Sequence, residues 1–234
     1  MISNLEKRLL TSAILVVLFF LMFKFDLILF FGLFIIGFIC IIEFKNILKK
    51  IFLKNRKYKF NKELFWIVIL TFIFSSYIII IFTICYWIAI NDKIIKIFLI
   101  YFTIICILSD IGGYIFGKLL KGPKLTKISP NKTFAGSIGS LVLVVIFSIT
   151  GIYFKLFSIK IEQVFFLTLV SICTAILCQL GDLFFSYLKR KAKIKDTGKL
   201  FPGHGGVLDR LDGILLGVPG GFFITFILQY INII

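Results

Sequence analysis

Asp209 and Asp212 stand three residues apart in a chain with only eleven acidic side chains. If the segment from Val207 onward is helical, their carboxylates share one face. Two carboxylates so placed can hold a hard cation such as Mg²⁺, which takes one or two protein carboxylates and completes its shell with water and substrate phosphates. Asp182, in "CQLGDLFFSYLKR", offers a third from the inner end of an apolar segment. An ionised group there is costly unless it is paired or binds a cation. The same spacing also fits ion pairs of Asp209 and Asp212 with Arg210 or nearby lysines at a helix start.

Just upstream, "FPGHGG" (201–206) reads as a turn leading into a helix and holds the only histidine, His204. Glycines let backbone approach a ligand closely, and a helix N-terminus favours phosphate. A short glycine turn between membrane helices fits equally well. A second stretch, "SPNKTFAGSIGS" (129–140), places Lys132 and Thr133 at a helix start, which suits an anionic ligand. The Gly136/Ser140 spacing fits helix packing as readily. Asp110 is expected at a cytoplasmic helix end, before Gly112 and Gly113. Together these clusters supply carboxylates for a cation and basic groups for phosphate. That pairing suggests a metal–nucleotide complex acting on a membrane-embedded substrate.

The elements that must position these residues are membrane spans. Of 234 residues 60% are hydrophobic and 30 are Phe, and the mean hydropathy is +1.08. A soluble domain is about 45–50% apolar, whereas about 20 apolar residues cross a bilayer. Apolar segments run over 9–23, 27–42, 64–90, 94–109, 134–154, 163–185 and 213–234. The fold class is therefore all-α, a polytopic integral membrane protein of about seven transmembrane helices, with 64–90 as one tilted helix. The chain reads as a single membrane domain over 1–234, with N-terminal helices in 1–92 and the helices and loops that carry the motifs in 93–234. The N-terminal segment is read as a retained helix, since no small-residue cleavage site follows its apolar run.

The net charge of +16 comes from basic residues between the spans, so it orients the chain rather than marking a nucleic-acid partner. With the N-terminus inside, 22 of 27 Lys/Arg fall on one face, as the positive-inside rule expects. The loops taken as 43–63, 111–133 and 186–212 then share the cytoplasmic side. Glu6, Glu43, Glu63, Asp92 and Glu162 read as ordinary interfacial residues flanking helices. The five cysteines lie in apolar segments without metal-ligand spacing and read as small buried apolar residues. A transporter or channel using intramembrane Asp residues, or a polyprenol kinase, could share part of this pattern.

"SYLKRKAKIKDTGKLFPGHGGVLDRLD", Ser186 to Asp212, closely resembles the signature of the phosphatidate cytidylyltransferases, or CDP-diacylglycerol synthases. "SDIGGYIFGK" and "KISPNKTFAGSIGS" are similar to the family's other cytoplasmic motifs. Ala135 stands where many members carry Glu, Gly139-Ser140 stands where many have Gly-Gly, and the chain is short for the family. The resemblance implies transfer of CMP from CTP to phosphatidate at the cytoplasmic face of the cell's inner membrane, with Mg²⁺ and a second cation as cofactors. It implies Asp182, Asp209 and Asp212 as metal ligands, and Lys189, Arg190, Lys195 and Arg210 as groups that hold triphosphate or phosphatidate. Asp196 belongs to the same catalytic stretch. His204, Gly205 and Gly206 would shape the phosphate loop, while Asp110, Ser129, Lys132, Thr133 and Ser186 would bind substrate. A homodimer is a further implication.

Overall fold

The computed structural model describes residues 4–53, 60–126, 128–129, 132–153, 164–200 and 205–230. The described chain is helical: α1 (Asn4–Lys24), α2 (Asp26–Phe52), α3 (Phe60–Asn91), α4 (Lys93–Leu120), α5 (Phe134–Tyr153), α6 (Val164–Lys191), the single turn α7 (Leu208–Leu211) and α8 (Ile214–Tyr230). In hydrocarbon every backbone polar group must find an internal partner, which a helix supplies along its whole length. Among the described residues six stretches are long and apolar enough to cross a membrane, within α2 to α6 and over Leu208–Tyr230, which takes in α7 and α8; Ala13–Lys24 is a shorter apolar helix. The protein is thus a multi-pass membrane protein. The 64–90 segment lies within one unbroken helix, α3.

Local chemistry sets some helix ends. Phe25 takes an extended conformation (φ −123°, ψ 116°), which separates α1 from α2 in a single residue. Asp92 separates α3 from α4, and its Oδ1 accepts N–H bonds from Ile94 and Ile95 at 2.8 and 3.0 Å. That is an N-cap. Thr133 caps α5 in the same way, accepting the Gly136 N–H at 3.1 Å.

Three helices run well past the apolar segments that predict them. α2 continues from 42 to Phe52, α4 from 109 to Leu120, and α6 from 185 to Lys191. Glu43 and Asp110 are therefore inside helices, not in loops or at helix ends. Asp182 lies more than two turns before the end of α6. The premise of one helix from Val207 onward also fails, because α7 ends at Leu211 and a turn at 212–213 precedes α8. Asp212 thus does not continue the helical face of Asp209.

By internal contacts the chain divides into two compact units, Met1–Ile97 with Leu188–Leu211, and Phe98–Tyr187 with Asp212–Ile234. In the first, α2 buries Gly37, Cys40, Glu43, Phe44, Ile47 and Leu48 at helical spacing. Phe44 stacks on Phe74 of α3 with ring centroids 4.0 Å apart. In the second, the Tyr101 hydroxyl of α4 meets Ser148 of α5 at 2.9 Å and Ser171 of α6 at 2.5 Å. Small residues bring its helices close, as packing in lipid requires. A Cβ on Gly112 would come within 2.8 Å of the Ser140 Cα, and one on Gly136 within 2.6 Å of the Gly113 carbonyl oxygen. Many outward side chains are large and apolar, Phe34 and Phe72 among them, and these suit acyl chains.

Candidate functional site

In the second unit, α4, α5 and α6 enclose a cavity of about 250 Å³ lined by Ser109, Asp110, Lys132, Thr133, Gln179 and Asp182. The loop before α5 is tied down by backbone bonds from Leu125 N–H to the Lys132 carbonyl (2.7 Å) and from Lys132 N–H to the Ser129 carbonyl (3.0 Å). Lys132 is thereby aimed at α6, where its ammonium pairs with the Asp182 carboxylate. Ser186, one turn along α6, donates to the other Asp182 oxygen at 3.2 Å. The Gln179 amide is held by Ser137, which donates to its oxygen, and by Ser140, which accepts from its nitrogen at 2.5 Å.

Ser109 differs from its neighbours. Helical hydroxyls in this unit commonly bond a carbonyl one turn back, as Thr103, Ser148, Ser171 and Thr174 do at 2.6–2.9 Å. The Ser109 Oγ is buried in the cavity wall and has no hydrogen-bond partner among the described residues.

In the first unit, the chain after α6 forms a cradle around Asp209. Its Oδ1 accepts from Lys189 Nζ at 2.8 Å, and its Oδ2 accepts from the N–H groups of Thr197 (2.7 Å) and Gly206 (3.0 Å). The Thr197 hydroxyl lies between two carboxylates, 2.6 Å from Glu43 Oε2 and 3.0 Å from the same Asp209 Oδ2. Glu43 also accepts from the N–H groups of Val207 (3.1 Å) and Leu208 (2.9 Å). Gly205 has φ +85°, and a Cβ there would come within 2.8 Å of Asp209 Oδ2. Gly206 packs against Thr197 and Glu43. The close glycine approach expected of this loop therefore serves protein carboxylates.

Arg190, Lys195, Asp196 and Arg210 are exposed. Arg190 Nη1 donates to the Ile194 carbonyl at 3.4 Å, where Lys193 turns the chain with φ +55°. His204 lies outside the described residues.

The model of the cytidylyltransferase family matches residues 3–228, nearly the whole chain. This protein belongs to that family. Curated relatives agree over about half the chain. A phosphatidate cytidylyltransferase of Helicobacter pylori is 42% identical over 132 residues, 56% of this chain and 48% of that protein. One from Staphylococcus haemolyticus is 42% identical over 123 residues (52% and 46%). One from Rickettsia bellii is 47% identical over 124 residues (50% and 52%). The matched part of the chain spans about half the length of these relatives.

For a cytidylyltransferase-family chain the fit to a divalent cation can be tested on the carboxylates themselves. Among the described residues no three His, Cys, Asp or Glu side chains gather into a metal group. Mg²⁺ needs fewer, since water and phosphate complete its shell. Asp182 uses two of its roughly four acceptor sites. Its neighbour Gly181 packs on the backbone carbonyl of Asp212, itself buried, so these two carboxylates come from touching segments. Both fit a cation. Asp209 fits less well here, because three donors and a hydroxyl oxygen already surround it.

The sequence reading did not single out Glu43, Thr197, Ser109 or Gln179. For Glu43 a signal existed. Cys40, Glu43, Phe44, Ile47 and Leu48 recur at spacings of three, one, three and one, which places Glu43 on the buried stripe of a helix longer than its apolar run. The other three lacked any such signal.

Proposed function

We propose that the protein is a phosphatidate cytidylyltransferase, which transfers CMP from CTP to phosphatidate and releases pyrophosphate and CDP-diacylglycerol. The observation that carries the reading is the Lys132–Asp182 pair in the wall of a polar cavity, within a chain that matches the cytidylyltransferase family almost end to end. A phosphate oxygen of phosphatidate attacks the α-phosphorus of CTP, and the bond to the β-phosphate oxygen breaks. A phosphate monoester has its second pKa near about 6, so the nucleophile needs little help to ionise at neutral pH. The barrier lies in bringing two polyanions together, which fixed charge and dipoles address.

In this reading Lys132 takes phosphate oxygens in the cavity, and Lys189, Arg190, Lys195 and Arg210 serve as the cationic groups that the family resemblance implies. Thr133, Ser109 and Ser186 donate hydroxyls, Ser129 holds the loop that carries Lys132, and Asp110 faces the polar part of the substrate. Mg²⁺ would be held by Asp182 and Asp212 and would supply Lewis-acid neutralisation of phosphate charge. His204 would contact phosphate or hold its loop and would not act as the base. The basic loops would face the cytoplasm, in line with the charge bias. A cysteine in place of Lys195 should then react with a membrane-impermeant maleimide only after cells are permeabilised; labelling of intact cells would reverse that orientation.

Purified protein incubated with phosphatidate, CTP and Mg²⁺ should form CDP-diacylglycerol. Asp182→Asn should lose at least about a hundredfold in rate, the scale on which one electrostatic contact to a transition state acts. Wild-type protein that forms no product, or a variant as fast as wild type, would reject the reading.

A further inference from the structure

Glu43 sits on α2, in the N-terminal third, far in sequence from the motifs that carry the family resemblance. It is nevertheless a buried carboxylate, 6% exposed, 154 residues before the nearest signature residue it touches, Thr197. Burying a carboxylate is costly unless its oxygens are hydrogen-bonded. All its described donors come from the signature segment: the Thr197 hydroxyl and the N–H groups of Val207 and Leu208. Gly198 and Gly206 both pack against the Glu43 carboxylate, and a Cβ at either would collide with it. Both ends of the 197–208 segment are therefore fastened to one side chain.

The geometry points to Glu43 as a positioning residue for the Asp209–Lys189 pair of the signature segment, acting through Thr197. The hydroxyl of Thr197 has a single proton, and the shorter contact, 2.6 Å to Glu43 against 3.0 Å to Asp209, makes Glu43 the favoured acceptor. That choice fixes the Thr197 side chain. The Thr197 N–H is thereby aimed at Asp209 Oδ2 at 2.7 Å, and the bonds from Glu43 to Val207 and Leu208 set the turn that presents Asp209. Asp209 in turn holds Lys189 Nζ at 2.8 Å. The order of dependence is Glu43, then Thr197 and the 206–208 backbone, then Asp209, then the Lys189 ammonium. Displacement of a reacting or binding group by about 1 Å can cost about a hundredfold in rate, so a side chain that touches no substrate can still control turnover.

This inference rests on the proposed activity, and the experiment separates the two. Glu43→Gln keeps the shape but turns an N–H₂ toward the N–H of Val207 or Leu208. It should lower kcat/KM for CTP by about tenfold or more, while Asp209→Asn lowers it by itself. If Glu43 acts through Asp209, adding Glu43→Gln to Asp209→Asn should cost less than about twofold more, since coupled residues are not additive. A purely structural role would give penalties that multiply. Thr197→Val should behave like Glu43→Gln, and Thr197→Ser should restore most of the activity. If Glu43→Gln fails to fold, Thr197→Val runs the same cycle with the Val207 and Leu208 bonds intact.

Amide hydrogen exchange reads the anchoring without substrate. The amides of Thr197, Val207 and Leu208 should exchange at least about tenfold faster in Glu43→Gln than in wild type. Multiplying penalties, near wild-type kcat/KM for Glu43→Gln, or unchanged exchange would each overturn the inference. Wild-type protein inactive on phosphatidate and CTP would defeat the enzyme reading instead, leaving the exchange rates to judge the anchor.

Discussion

Ser109 and Asp209 show opposite uses of a buried polar group. Asp209 is surrounded by donors and gives them a fixed arrangement. Ser109 has a hydroxyl with no hydrogen-bond partner among the described residues, at the wall of the cavity that holds Lys132 and Asp182. A buried unsatisfied hydroxyl costs about 1–3 kcal/mol, whereas a net hydrogen bond contributes about 0.5–1.5 kcal/mol. Removing Ser109 Oγ should therefore leave the resting protein as stable or more stable. Ser109→Ala should raise or preserve the Tm of detergent-solubilised protein while lowering kcat/KM by about 2- to 10-fold, the loss of one bond to substrate. A clear drop in Tm with unchanged kinetics would show that the hydroxyl serves the fold instead. No sequence pattern distinguishes Ser109 from the serines and threonines that bond their own helix. The difference lies in a rotamer and a cavity, which exist only after α4, α5 and α6 pack. The residue types of Asp182, Lys132 and Lys189, by contrast, were legible, because a charge next to an apolar span is conspicuous by its cost.

At the scale of elements, the apolar cores of the long helices were legible and their ends were not. Hydropathy reports where a helix is in lipid, and α2, α4 and α6 all continue as polar helix beyond that limit. Those extensions carry Glu43, Asp110 and Lys189, so the segments read as loops are in part rigid helix. Close packing between elements was equally invisible before the fold. Gly181 of α6 lies against the segment that bears Asp212, and a Cβ there would come within 2.6 Å of the Asp212 carbonyl oxygen and 3.2 Å of the Leu216 Cβ. Two effects oppose each other in Gly181→Ala. Helix propensity favours Ala by about 1 kcal/mol, and overpacking costs about 1–3 kcal/mol. Because the obstacle is backbone, overpacking should win. The variant should lose about 1 kcal/mol of stability and also activity, as the segment that bears Asp212 is pushed off α6. A variant more stable than wild type at full activity would mean the two segments are free to separate.

For the whole molecule, composition settled the membrane class, since nothing else explains 60% hydrophobic residues with 30 Phe. The charge bias fits one orientation, and the motifs fit one family, which residues 3–228 match. The N-terminal third, anonymous as sequence, contributes a carboxylate to the signature segment. The central claim concerns which phosphorus of CTP is attacked, and the fate of the phosphates decides it. Purified wild-type protein in phosphatidate-containing micelles with Mg²⁺ should move label from α-³²P-CTP into the chloroform-soluble lipid. Label from γ-³²P-CTP should appear only in water-soluble pyrophosphate. Label from the γ-position in the lipid would identify a kinase, and label from neither would contradict the proposed transfer altogether.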